Sequence, residues 1–202
     1  MRTEQLNRGL VVSTLLLFMG CVPCKHPLSD EKSSKVDERL IGEWQFYRGD
    51  KPDADSAPVF VGKVKGSEAT LEAVQCDVDK EGHVVVERVP LYTTKVGSLF
   101  LISMARQEVK KDRETAYDVA MYEMPEKDTV NWYVMDDQVV GAAIEKKSLP
   151  GTVNAQTIFG KRHYADVKIT ASPEELRKFI EKIGKKCFLS ELATTMKRVP
   201  AK

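Results

Sequence analysis

Aromatic residues make up only 7% of this 202-residue chain, histidines number three, and positive charges exceed negative ones by one. Thirty-one Lys and Arg against 30 Asp and Glu exclude a strongly basic nucleic-acid binder. The few aromatics are not interleaved with basic residues, so no stacking platform for single strands exists. His26, His83 and His163 have no partner at metal-ligand spacing. No G-x-S-x-G, no P-loop and no G-x-G-x-x-G occurs. Adjacent acids such as Asp136-Asp137 read as a solvated turn, because neighbouring residues cannot share one strand face. The chain is therefore expected not to be an enzyme, with no catalytic residue, no metal, no cofactor and no nucleic-acid partner. No apolar run reaches the roughly 20 residues that a membrane-spanning helix needs.

What is present begins at the N-terminus. Arg2 and Arg8 precede a short apolar stretch, Gly9 to Gly20, which fits the central region of an export signal. Gly20-Cys21, a small residue before a cysteine after an apolar run, resembles the lipobox of bacterial lipoproteins. The resemblance implies cleavage before Cys21 and a diacylglyceryl group (with palmitate-type acyl chains) on its thiol. Val22 after the cysteine implies the outer membrane, facing the periplasm. Two other readings of the same residues are an ordinary signal peptide and a redox Cys21-x-x-Cys24 pair, the latter without a strand–helix unit around it. Residues 24–36 are polar and aperiodic and read as a flexible tether. The expected organisation is a signal peptide over 1–20, an anchor and tether over 21–36, and one β-rich domain over 37–202. Removing residues 1–20 takes away Arg2, Arg8 and Glu4 and leaves 29 charges of each sign. Such a balance creates no large steering field.

From residue 37 onward, short alternating segments dominate. Trp44 and Phe46; Leu71 and Ala73; Val84 to Val89; Phe100, Ile102 and Met104; Tyr117, Val119 and Met121; and Val130, Trp132 and Val134 share this pattern. Turns at 79–82, 110–114, 125–128 and 136–137 separate them, and Val139 to Ile144 reads as a further strand. The spacing argues for an antiparallel meander closing into a barrel or curled sheet. Residues 172–187 break the pattern. Ser172-Pro-Glu-Glu175 is a capping box, and Leu176, Phe179, Ile180, Ile183 and Cys187 form one apolar helical stripe. Residues 189–199 fit either a helix or a strand. Met104, Met121, Met124 and Met135 suit either a pliable pocket or plain core filling.

Four cysteines are present: Cys21, Cys24, Cys76 and Cys187. In an oxidising compartment the preferred pair is Cys76–Cys187. That bridge would close a loop of about 110 residues and contribute roughly 4–5 kcal/mol in the chain-entropy treatment. The alternative is two separately buried thiols.

Ile41-Gly42-Glu43-Trp44, directly after a short polar turn, resembles the Gly-x-Trp signature of lipocalin-like proteins. The resemblance implies that Gly42 and Trp44 close one end of a barrel, with a basic residue such as Arg198 over the indole. A late helix fits the same order of elements. Combined with the N-terminal signal, the expectation is a lipid-anchored protein of the cell envelope, held to the membrane through its N-terminal lipid. It would serve as an interaction or structural module for an envelope protein. The second expectation is a lipocalin-like carrier of a small apolar ligand. The barrel interior separates them: tight packing by Trp44, Phe100, Tyr117 and Trp132 favours the module, a cavity the carrier.

Overall fold

Period-two alternation is realised as strands in the computed structural model, which describes residues 22–79, 81–106, 115–191 and 194–200. In chain order the strands are β1 (Pro23–Cys24), β2 (Gly42–Arg48), β3 (Lys51–Pro52), β4 (Val59–Lys63), β5 (Leu71–Val78) and β6 (Val84–Val96). They continue with β7 (Leu99–Ala105), β8 (Tyr117–Glu126) and β9 (Thr129–Val134), followed by helix α1 (Asp137–Glu145). A hairpin of β10 (Gly151–Ile158) and β11 (Lys161–Ile169), helix α2 (Pro173–Ile183) and β12 (Thr194–Arg198) complete the fold.

Eight strands close into an antiparallel barrel in the order β8-β7-β6-β5-β4-β2-β12-β9, with β9 returning to β8. The last strand, β12, inserts between β2 and β9 and completes the ring. Closure leaves the ring without unpaired edges. Within the 189–199 stretch, open between helix and strand on sequence, Thr194–Arg198 takes the strand form because both neighbours offer free backbone groups.

One parity of each strand fills the interior. Trp44, Phe46, Val59, Leu71, Leu91, Ile102, Tyr122, Val130, Trp132 and Met196 are buried there as one cluster. β7 and β8 are buried on both faces. Their outward residues Leu99, Leu101, Val119 and Met121 pack beneath the helices with Val140, Leu176, Ile180 and Cys187. The two clusters explain why these strands read as nearly continuous apolar runs. Met121 and Met135 join the outer cluster, while Met104 and Met124 flank the inner one, so the methionines fill cores and share no pocket.

Helix α2 starts as its sequence dictates. Ser172 Oγ accepts from the Glu175 N–H, Glu175 reaches back to the Ser172 N–H, and Pro173 opens the first turn. Gly184, at φ +66°, ends it.

Three expectations are corrected. Residues 139–144 are not a strand. Asp136 caps α1 by accepting from the N–H groups of Gln138 and Val139, and Val140, Ala143 and Ile144 recur at helical spacing. The 22–36 stretch is not a free tether. Val22, Cys24, Leu28, Ser29 and Ser34 are buried, and β1 is pinned between β8 and β11. Leu28 N–H donates to Ser103 Oγ at 3.0 Å, and Arg177 Nε donates to the Leu28 carbonyl at 2.9 Å. These sparse apolar residues have no period of their own, because the barrel wall dictates where each one docks. The third concerns cysteine pairing. Cys76 and Cys187 are both free thiols, Cys76 exposed on β5 and Cys187 buried beside α2. Asp136 N–H donates to the Cys187 carbonyl, which places that cysteine at the end of β9. β5 and β9 face each other across the ring, so the two Cα atoms cannot approach the ~7 Å that a bridge requires.

Candidate functional site

The end of the barrel at Trp44 is plugged by the chain that precedes β2. Asp37 caps a short 3-10 turn, Glu38–Leu40, and Leu40 is buried beneath it. Trp44 is fully buried, and its Nε1–H donates to the Leu40 carbonyl at 2.7 Å. Arg198 lies over the indole, with its guanidinium carbon 4.3 Å from the ring centroid. Its Nη1 and Nη2 donate to the carbonyls of Ile41 and Arg39, and its Nε to Asp128. A Cβ on Gly42 would lie 2.0 Å from Arg198 Nη1, and φ there is +149°. Glycine at this position is thus required by both the close approach and the backbone conformation. The Gly-x-Trp pair and the overlying arginine are arranged as the lipocalin-like resemblance implies.

Beside this plug a cleft of about 530 Å³ opens to solvent where residues 33–39 cross the ends of β6 and β7. Its floor is aromatic. The Tyr122 ring lies 5.8 Å from both Phe100 and Trp132, tilted 43° to each. Its hydroxyl donates to Asp37 Oδ2 at 2.8 Å, and Arg39 holds the same carboxylate from the other side. Burial works to raise the Asp37 pKa, but the hydrogen bonds from Arg39 and Tyr122 outweigh it and hold the carboxyl below its ordinary value. Burial together with the adjacent carboxylate raises the Tyr122 phenol, so Tyr122 stays a donor.

The walls are cationic. Lys95 and Arg39 both lie over the Phe100 ring, at 5.4 and 4.5 Å from its centroid. Lys35 and Arg177 complete the lining. The acids at the cleft are already engaged: Asp37 by Arg39, Glu38 by Lys63. Among the described residues, Lys35, Lys95 and Arg177 have no carboxylate partner. The cleft therefore combines an aromatic floor with cations that lack counter-charges, which suits an anionic group. Sequence reasoning missed it, since its cations come from the 22–36 stretch, β6 and α2.

The remaining residues of interest are dispersed. Cys21 and the 1–20 segment lie outside the described residues, as does the charged turn at 110–114. Tyr117 belongs to the outer cluster and not to the barrel filling. His26 is half-buried in the docked N-terminal stretch, His163 is exposed on β11, and His83 pairs with Asp79 at 3.2 Å. Asp79, Glu81 and His83 bring ligand-type atoms within 4.8 Å of one another in the β5–β6 turn, a gathering the linear spacing did not suggest. The turn itself accounts for it: Asp79 Oδ1 accepts from the N–H groups of Glu81 and His83. Burial pushes the Cys24 and Cys187 thiols up to about 12, which leaves them inert.

No protein family, curated protein or solved structure matches this chain. The closed eight-strand antiparallel barrel is compatible with a lipocalin-like fold.

Proposed function

We propose that this chain is a lipid-anchored protein of the bacterial envelope without catalytic activity, an interaction module that receives an anionic group of an envelope partner in the cleft at its barrel mouth. The observation that carries the reading is the contrast between a filled interior and an unneutralised rim. Trp44, Phe46, Tyr122 and Trp132 occupy the space in which an apolar ligand would lie, whereas Lys35, Lys95 and Arg177 face solvent or the cleft without carboxylates. The anchor rests on the sequence: Arg2, Arg8, the apolar 9–20 run and Gly20-Cys21.

Three measurements test it. Metabolic labelling with a radioactive fatty acid should mark the chain and should fail in Cys21→Ala; no label, or label that survives the substitution, ends the anchored reading. A photo-crosslinking side chain at Lys95 should capture an envelope component, and Lys35→Glu should abolish the adduct. Native mass spectrometry of the Cys21→Ala chain, which carries no covalent lipid, should give the bare protein mass. A lipid-sized adduct released on collisional heating would instead establish the carrier of an apolar ligand.

A further inference from the structure

The β10–β11 hairpin ends in a way that works against folding. Ile158 pairs with Lys161, so Phe159 and Gly160 form a two-residue turn. Both have positive φ, +48° and +76°. Such a turn favours Asn-Gly, and a bulky aromatic side chain in the left-handed region is strained by about 1–2 kcal/mol. The same Phe159 is 100% exposed, and Ile158 is 44% exposed. An asparagine at 159 would relieve the strain and the exposure together. Strain and exposed apolar area at one residue, with no return within the fold, point to a contact outside it.

The surrounding charge narrows the contact. Between Ala155 and Tyr164 the hairpin carries Lys161, Arg162 and His163 and no carboxylate. Arg162 is held by Glu145 of α1, while Lys161 has no acidic partner among the described residues. An apolar tip above a cationic collar matches the boundary between acyl chains and anionic headgroups. Direction agrees. β1 runs parallel to β11, with Cys24 beside Ile169. The Val22 end of β1 therefore faces the same way as the turn end of β11.

We propose that Ile158 to Lys161 is a lipid-contact site: Phe159 and Ile158 enter the interface of a bilayer containing anionic phospholipid, and Lys161 meets the headgroup phosphates. The inference deepens the anchored reading, since a lipid on Cys21 would hold the chain beside a bilayer.

The test uses the full chain carrying Phe159→Trp and vesicles of phosphatidylcholine and phosphatidylglycerol with brominated acyl chains. Trp44 and Trp132 are buried, so emission beyond that of the unsubstituted chain reports the tip. The added emission should shift to the blue and be quenched, and far less so with phosphatidylcholine alone. Phe159→Asn should fold at least as stably as the parent yet bind these vesicles about tenfold more weakly, the loss expected for one buried aromatic. Lys161→Glu should weaken binding as well. Cosedimentation without quenching would overturn the tip contact while leaving the anchor intact. A fatty-acid label that is absent while quenching persists would overturn the anchor and keep the tip. A blue shift without vesicles that grows with protein concentration would assign the tip to a second copy of the chain and overturn the lipid contact.

Discussion

Replacing Arg198 by alanine removes one guanidinium that holds four things together. Its Nη1 and Nη2 donate to the Ile41 and Arg39 carbonyls at 2.7 and 2.8 Å, its Nε pairs with Asp128 at 2.9 Å, and its guanidinium carbon lies 4.3 Å from the centroid of the Trp44 ring. Hydrogen bonds from a charged donor contribute about 1.5–3 kcal/mol each, the ring contact about 0.5–1 and the exposed ion pair less than about 1. These contributions share one side chain and do not add in full, so the expected loss is about 3 kcal/mol. Gly42→Ala attacks the same place from the other side, because its Cβ would sit 2.0 Å from Nη1. That clash and the backbone conformation together should destabilise by about 2–4 kcal/mol. The two changes must therefore be coupled. In the Arg198→Ala background the clash is gone, and Gly42→Ala should remove only the backbone share, about 1 kcal/mol. Urea unfolding followed by the fluorescence of Trp44 and Trp132 measures all four corners of the cycle. Additivity within about 0.5 kcal/mol would refute the arrangement, since independent sites behave that way.

Two further outcomes follow from burial. Maleimide on the native protein should label Cys76 and spare Cys24 and Cys187, which burial holds at about 12; peptide mapping that recovers a Cys76–Cys187 disulfide would contradict the opposed positions of β5 and β9. Leu28→Ala should lower the unfolding free energy by about 2–4 kcal/mol, because Leu28 is wholly buried against the barrel; a change below about 0.5 would mean that residues 22–36 are a tether after all.

The alternation of Trp44 and Phe46, of Leu71 and Ala73, and of Val130 and Trp132 determined by itself that the chain forms half-buried antiparallel strands. Side chains of period two have only one way to share a face. The Ser172 capping box and the stripe from Leu176 to Ile180 likewise determined α2, because those interactions are local. Gly42 and Trp44 marked a barrel end, and the basic residue above the indole was anticipated at Arg198. Other elements had local signals that conflicted or were too sparse to read. Val139 to Ile144 carries an apolar, β-branched start that suits a strand, and only the cap at Asp136 and packing against β11 make it α1. Gly141 shows this dependence, since a Cβ there would lie 2.5 Å from Tyr164. The 22–36 stretch has too few apolar residues to show a period, yet Val22, Cys24 and Leu28 each find a place on the wall. Ring closure by β12, the separation of Cys76 from Cys187, and the cleft formed by Lys35, Lys95 and Arg177 were decided only by tertiary structure. Each joins residues far apart in sequence, and nothing local in the chain encodes which of them meet.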